Sequence, residues 1–412
     1  MKKKITISEV VERPIKAVIF GDNGYARGVC GRILQKANDE NNINANAVMI
    51  RDNPGDKNIR QFNRFNLLFK RGAKETLMDV NCINEIIDGF NDYNRLSALA
   101  DNSEITTVLW APEKKNWINP DGTIKNTNDN LLAQLTMMLF RRFCLEMHGF
   151  EVILLLNEDH NGEVLKGEII EYAHARGLNM DFINWLTMEV NFINAFVETR
   201  VGAQKIDAEL TINVERYFLC VFDKESNLLK NAKFIAVDEE LSGYYTLRTH
   251  IYEGALCSAC AYSLLHEVLT LDAFMFREKL VKQMTVSVFE EIVPVINVNF
   301  QTAQAYTVEM LQRFEDASVT VKWRDYAENL GDKFKKSIIP VIKNFYKLYE
   351  KFPKHLVFAL FCTLKLYSVM NINDGFSTKL KISKNILKDK TLWGEDISYL
   401  QNDLEAFEKK VK

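Results

Sequence analysis

The stretch "HIYEGALCSAC", His250 to Cys260, gathers a histidine, a glutamate and two cysteines within eleven residues. Histidine is the side chain whose ordinary pKa lies nearest neutrality, which makes His250 a candidate acid/base. Cys257 and Cys260 form C-x-x-C, the spacing of half a zinc site or of a redox pair. A structural zinc needs two more Cys/His ligands; His266 is a candidate third, and no clear fourth follows. A redox pair needs a strand-to-helix turn near a βαβ unit. Here the cysteines sit among small apolar residues, "ALCSACAYSLL". That setting suits two buried thiols in a packed helix, and no metal is expected.

A second stretch, "VIFGDNGYARG", Val18 to Gly28, places glycines where an apolar run gives way to a helical pattern. A glycine turn there lets a backbone approach a pyrophosphate at a helix N-terminus. Gly21, Gly24 and Gly28 are spaced G-x-x-G-x-x-x-G, not G-x-G-x-x-G, so a plain turn without ligand is an equal reading. Asp52, after the next apolar run, could accept hydrogen bonds from a ribose diol or simply solvate a turn in "RDNPGD". Arg51 beside it could meet a 2′-phosphate, which leaves NAD against NADP open.

These residues need elements to hold them. "IKAVIFG", "NAVMIRD", "EITTVLWAP" and "FEVILLLNED" read as buried strands, and "YARGVCGRILQKAND" and "NLLAQLTMMLFRRFCLEMHG" as the helices between them. "NLLFKRGAKETLMDV" reads as a hairpin turning at Gly72. "GEIIEYAHARGL" and "MDFINWLTMEVNFINAFVETRV" read as helical. From Tyr252 the chain is a series of amphipathic helices, among them "DAFMFREKLVKQMTVSVFEEIVPVI" and "KFKKSIIPVIKNFYKLYEKF". The fold class is therefore an α/β N-terminal Rossmann-like doubly wound domain, residues 1–243. An all-α C-terminal domain, residues 244–412, follows and is expected to close the cleft.

Bulk properties narrow the classes. The 412 residues carry a formal net charge of −3, which gives no global field for nucleic acid or an anionic membrane. No window approaches 18 uninterrupted apolar residues, so no membrane span is expected. Seven scattered cysteines, an odd number, point to reduced thiols in a cytoplasmic compartment.

Several segments in colinear order resemble the polyol-specific long-chain dehydrogenases, the mannitol dehydrogenase and tagaturonate reductase (altronate oxidoreductase) family. "FGDNGYARG" resembles F-G-x-G-N-F-x-R-G, and "LAQLTMMLFRRF" resembles P-A-K-L-T-x-L-L-Y-x-R-F. "FINWLTMEVNFINAFVETRV" is similar to F-I-x-W-L-x-x-x-N-x-F-x-N-x-L-V-D-R-I-V. "RTHIYEGALCSACAY" resembles K-x-x-x-L-N-G-x-H-x-x-L-A-Y, and "RFEDASVTVKWRDYAENLGDKFKKSIIP" resembles the last signature.

The resemblance implies metal-independent hydride transfer between NAD or NADP and a sugar acid or polyol, with a lysine as acid/base, asparagines on the oxyanion and a helping histidine. Carried over by position, the lysine is Arg248, the L-N-G asparagine is Glu253 and the histidine is Leu256. Asn23 stands for the loop's second glycine and Gln134 for the lysine of P-A-K-L-T. Gly21, Arg27, Asn161, Gly162, Gly254 and Lys333 keep the family residue, and Asn157 matches an asparagine of the mannitol branch. Arginine stays protonated and cannot shuttle its proton, and an ionised Glu253 would repel an oxyanion. Arg248 and Glu253, five apart, could instead form a salt bridge.

Two readings therefore stand. In the first, Gly21, Asn23, Gly24, Arg27 and Asp52 hold the cofactor; Arg248, His250, Glu253 and Asn157 do the chemistry, and Asn161 and Lys333 face the substrate. In the second, the chain is a non-catalytic relative that binds a ligand or a protein.

Overall fold

The computed structural model describes residues 12–52, 62–71, 74–119, 121–156, 158–206, 210–316 and 319–411. The chain forms two compact units, Met1–Leu241 and Ser242–Lys412.

Among the described residues the first unit carries twelve strands: β1 (Ile15–Phe20), β2 (Asn46–Ile50), β3 (Phe65–Arg71), β4 (Lys74–Val80), β5 (Ile83–Ile87), β6 (Thr107–Trp110), β7 (Glu151–Leu154), β8 (Asn191–Glu198), β9 (Val201–Ile206), β10 (Leu210–Val214), β11 (Leu219–Phe222) and β12 (Ala236–Val237). Eight of them form one sheet in the order β12-β11-β8-β7-β6-β1-β2-β5. The run from β8 to β5 is parallel throughout. The chain leaves β1 towards β2 and β5, then returns through β6 to build β7 and β8 on the other side. That reversal makes the sheet doubly wound, with a switch point at the carboxyl ends of β1 and β6.

Parallel strands buried on both faces need continuous apolar runs, and β2 and β6 are buried at every residue. Alternate residues feed opposite cores. Ala17 and Ile19 join Val29, Ile33, Leu109 and Ile153 on one face. Val18 and Phe20 join Val108, Trp110, Leu132 and Leu165 on the other.

A smaller sheet, β4-β3-β10-β9, lies outside the sequence expectation. The β3–β4 pair runs antiparallel from Phe65↔Val80 to Arg71↔Lys74, which is the expected hairpin; Gly72 lies outside the described residues.

The helical reading of "MDFINWLTMEVNFINAFVETRV" needs correction. The helix is Met180–Glu189, and the chain then enters β8. Seven of the eight β8 residues are buried, because this strand lies inside the sheet between β7 and β11. β8, "NFINAFVE", is mostly apolar without strict alternation, and such a run carries no period that separates a buried strand from a helix.

The second unit is helical among the described residues and closes around Ile251, Ala255, Phe274, Ile292, Trp323, Phe334 and Leu360. Two expected long helices are each broken. "KFKKSIIPVIKNFYKLYEKF" divides into Leu330–Ser337 and Ile339–Tyr349, because Pro340 lacks the N–H that would continue the first helix. "DAFMFREKLVKQMTVSVFEEIVPVI" divides into Leu271–Met275 and Glu278–Val286, then a π-turn over Ser287–Ile292.

Glu291 caps the helix Lys354–Val369, accepting from the backbone N of His355 (2.9 Å) and Leu356 (2.8 Å). Burial pushes its carboxyl up from 4.5 to about 7. A raised folded-state pKa gives stability that is present below the unfolded value and lost as pH rises through about 7. Stability should therefore fall between about pH 5 and pH 8, and Glu291→Gln should lack that component. Denaturant midpoints across this range check it; identical pH slopes in the two proteins would refute it.

Candidate functional site

In the first unit the candidate site is the turn from β1 into the helix over residues 24–41. Gly21 has φ +121°, and a Cβ there would stand 2.4 Å from Ala111 O. Only glycine fits so close an approach in that conformation. Asn23 caps the helix through Oδ1, which accepts from Ala26 N at 2.9 Å.

Asp52 closes this turn. Its Oδ2 accepts from Asp22 N (2.9 Å), Asn23 N (3.1 Å) and Asn23 Nδ2 (2.9 Å), and its Oδ1 accepts from Glu113 N (2.9 Å). Asn23 Nδ2 also donates to Ala111 O at 3.1 Å. In return, Asp52 N donates to Asp22 Oδ1 at 3.1 Å. A carboxylate has about four lone-pair positions, so the oxygens expected to meet a ribose diol are engaged by the protein itself. Burial, more than the nearby Asp52 charge, holds the Asp22 carboxyl above its usual range.

Arg27 lies beneath the turn, 1% exposed. Its Nε donates to Asp22 O (2.8 Å) and its Nη1 to Phe62 O (2.6 Å), while Nη2 is buried with no acceptor among the described residues. Burial lowers this guanidinium to about 10, still far above neutrality. Gln204 of β9 leans on the turn, since a Cβ at Gly24 would meet its Nε2 at 2.7 Å.

These features bear directly on a dinucleotide. The glycine turn and the capped helix end have the shape that a pyrophosphate needs, whereas Arg27 Nη2 is buried beneath them. The ribose acceptor is present but occupied. The structure thus brings Gly21, Asn23, Gly24, Arg27 and Asp52 together, with Asp52 holding the turn.

Asn161, read from the sequence as facing the substrate, is buried at the end of β7, with its Oδ1 unpaired among the described residues. It is 2% exposed, and its Nδ2 donates to Leu154 O (3.2 Å) and Leu156 O (2.7 Å). It clamps the end of β7 against its own helix, Asn161–Ala175. Asn157 lies outside the described residues.

In the second unit the candidate residues sit on a π-turn, Leu247–Tyr252, that leads into the helix Glu253–Leu265. Glu253 N donates to Arg248 O, five residues back. That wider turn stacks residues five apart, which ordinary α-helical spacing would offset. Arg248 Nη2 consequently meets Glu253 Oε1 at 2.9 Å. The guanidinium also lies 4.0 Å from the Tyr252 ring centroid. Tyr326 OH donates to Glu253 Oε2 at 2.6 Å and lies 3.4 Å from Cys257 Sγ. Burial raises the Tyr326 phenol well above its usual value, so it stays a proton donor here. Lys333 Nζ donates to Tyr326 O (2.6 Å) and Glu328 O (3.0 Å) and lies 4.1 Å from the Tyr326 ring centroid.

His250 turns to Ser337 O, at 2.8 Å from Nδ1. A carbonyl only accepts, so Nδ1 carries the hydrogen and Nε2 the lone pair. Burial lowers its pKa, so the imidazole is neutral near pH 7.

Cys257 and Cys260 are buried, and burial pushes the Cys257 thiol up to about 12 and the Cys260 thiol up as well. His266 packs edge-on to Tyr262 at 4.6 Å. Among the described residues no group of three or more His, Cys, Asp or Glu is placed to hold a metal ion.

Sequence reasoning did not single out Tyr326. It stands in "WRDYAENLGDKF", whose tyrosine meets Glu253 only across 73 positions of chain.

Comparison with known proteins gives these observations a setting. The family model for the mannitol dehydrogenase Rossmann domain matches residues 15–235, more than half of the chain. Altronate oxidoreductase of Bacillus subtilis (strain 168) is 22% identical, over 93% of this chain and 89% of its own length. The altronate oxidoreductase of Halalkalibacterium halodurans is 21% identical, over 93% and 88%. Among solved structures, substrate-free D-sorbitol dehydrogenase superposes with a TM-score of 0.80 at 14% identity, covering 95% of this chain and 91% of that one. Pseudomonas fluorescens mannitol 2-dehydrogenase, in a ternary complex with NAD and D-mannitol, gives 0.78 at 13% identity, covering 98% and 92%. A parallel sheet reversing at β1, a glycine turn at its switch point and a matching Rossmann-domain model agree: the chain belongs to the mannitol dehydrogenase family.

Proposed function

We propose that the chain is an NAD(P)-dependent oxidoreductase acting on a sugar acid or polyol, with its proton-handling group rebuilt. The observation that carries this reading is the colinear relation to altronate oxidoreductases over 93% of the chain. Bound nicotinamide would supply or accept the hydride. Gly21, Asn23 and Gly24 would hold the dinucleotide's phosphates, with Arg27 supporting the turn beneath, and Asp52 its ribose once the turn yields one of its donors.

Arg248 can donate hydrogen bonds to a substrate oxygen but keeps its proton. Glu253, hydrogen-bonded to the Tyr326 phenol, and the neutral His250, with its free-electron-pair Nε2, are the groups able to exchange one. Arg248 and Lys333 favour a carboxylate-bearing sugar acid over a neutral polyol, since a guanidinium pairs with carboxylate in two parallel bonds. Asn157 would supply a further amide donor. The chemistry needs no metal.

A second reading, a non-catalytic ligand- or protein-binding module, is favoured by one specific pattern. Both carboxylates at the two sites, Asp52 and Glu253, are engaged by partners within their own unit.

Titration of the full chain with NADH and NADPH, followed by tryptophan fluorescence, separates the readings. The enzyme reading expects saturable binding of one of them, then turnover with altronate and the oxidised cofactor exceeding that with D-mannitol. No binding of either at millimolar concentration would end it in favour of the binding module.

A further inference from the structure

The formal net charge of −3 hides a basic stretch in the second unit. Between Lys335 and Lys390 stand twelve lysines, no arginine and three acidic residues. Of the three, Asp374 and Asp389 cap helices elsewhere, and Glu350 lies in the corner between the helices Ile339–Tyr349 and Lys354–Val369. At that corner Lys347, Lys351 and Lys354 are exposed. Lys343, one turn back, is paired with Glu395 at 2.6 Å.

Large apolar side chains stand out among these lysines. Leu348 is 59% exposed, Tyr346 46% and Tyr349 42%. Ile339, Val341 and Ile342 fix the opposite face of the same helix in the core. A hollow of about 380 Å³ beside Leu348, lined by Val295 and Ile296, extends the apolar surface. Single exposed apolar residues need no partner, whereas a cluster ringed by one sign of charge marks an interaction surface.

The partner must be anionic and must accept apolar side chains. An anionic lipid surface does both. Lysines meet its phosphates, and leucine and tyrosine enter the layer between headgroups and acyl chains. Tyrosine suits that depth, with its ring apolar and its hydroxyl wet. A nucleic acid would use open ring faces and arginine forks. Here the Tyr346 ring is stacked on Phe352 at 4.6 Å and Phe352 on Tyr399 at 5.4 Å, so these rings are engaged with one another. No helix among the described residues is long and apolar enough to cross a membrane, so the contact is peripheral.

We propose that this corner docks the protein on an anionic lipid surface, with Leu348 and Tyr349 entering the headgroup layer and Lys347, Lys351 and Lys354 meeting lipid phosphates. The corner draws on no residue of either candidate site, so it stands whether or not the chain is a dehydrogenase.

Co-sedimentation of the full chain with vesicles tests it. Binding is expected to phosphatidylcholine vesicles holding about 30% phosphatidylserine at about 0.1 M salt, and roughly tenfold weaker binding or less to phosphatidylcholine alone. Salt at about 0.5 M should remove most of the binding, because it screens the lysines. These two dependences are read on the wild type and need no variant. Leu348→Ser should weaken binding by roughly tenfold, through lost apolar burial. Lys347→Glu combined with Lys351→Glu should weaken it by about twentyfold or more, at about fivefold per lysine lost. All three side chains are exposed, so these variants should melt with the wild type. Lys230→Glu, at an exposed lysine of the first unit, should change binding by less than about twofold. No binding of the wild type to the anionic vesicles would overturn the proposal. So would equal binding to neutral vesicles, unchanged binding of Leu348→Ser, or a loss in Lys230→Glu as large as that of the corner variants. Binding of poly(U) in place of vesicles would also overturn it and make the corner a nucleic-acid surface.

Discussion

Gly21→Ala is expected to lower the stability of the unit Met1–Leu241 by about 4 kcal/mol. Two costs add. A side chain at φ +121° sits in a backbone region that L-residues rarely adopt, at about 1–3 kcal/mol. Its Cβ would also stand 2.4 Å from Ala111 O, a backbone atom. Ala111 is held in register by its N–H to Phe20 O at 2.9 Å, so relief of the clash opens the β1–β6 ladder. Relieving such overpacking costs about 1–3 kcal/mol more. Against a total of roughly 5–15 kcal/mol for a domain, the loss approaches the unfolding threshold. Denaturant melts followed by circular dichroism measure it. A variant melting with the wild type would show that the turn relaxes without opening the sheet, contrary to the close approach described.

Asp52→Ala is expected to cost about 3–5 kcal/mol, because it orphans several donors at once. The backbone N–H groups of Asp22, Asn23 and Glu113 lose their acceptor, and so does Asn23 Nδ2 for one of its two bonds. Each unsatisfied group costs about 1–3 kcal/mol when buried, and these are partly buried, which places each near the low end. The same change leaves adjacent N–H groups beside a helix N-terminus with no carboxylate on them, which is an anion site. Sulfate at about 0.1 M should therefore raise the melting temperature of Asp52→Ala more than that of the wild type. The wild type is the control for the general stabilising effect of sulfate. Equal sulfate responses would show that Asp52 does not stand where an anion would.

Much of the first unit was legible because its signals are local. "IKAVIF" is apolar at consecutive positions, as a strand covered on both faces must be, and Gly21 marks where it stops. The β3–β4 hairpin was readable from two runs around a glycine. β8 was not. "NFINAFVE" continues the apolar character of the helix before it, and its strand state depends on pairing with β7 and β11, which no local pattern encodes. β9 and β10 are short, and β10 gains its place by lying parallel to β3, more than 140 positions away in the chain.

The candidate site divides in the same way. The resemblance read in the sequence aligns Arg248, Glu253 and Leu256 with the family's lysine, asparagine and histidine. The sequence by itself determined that Arg248 cannot shuttle a proton, since that follows from the guanidinium alone. It also determined the glycine at residue 21 and a carboxylate after the second strand.

Only the tertiary structure decided what those groups touch. A π-turn carries Glu253 over Arg248, and a distant helix brings Tyr326 to the same carboxylate. β2 delivers Asp52 to the turn after β1, where the backbone donors of that turn take up its oxygens. The helices around Gln134 bury its amide without a hydrogen-bond partner among the described residues. The physical reason is common to all three. Residue type sets which hydrogen bonds a group can make, whereas the partners that make them are brought from distant parts of the chain by packing, and packing is a property of the whole fold.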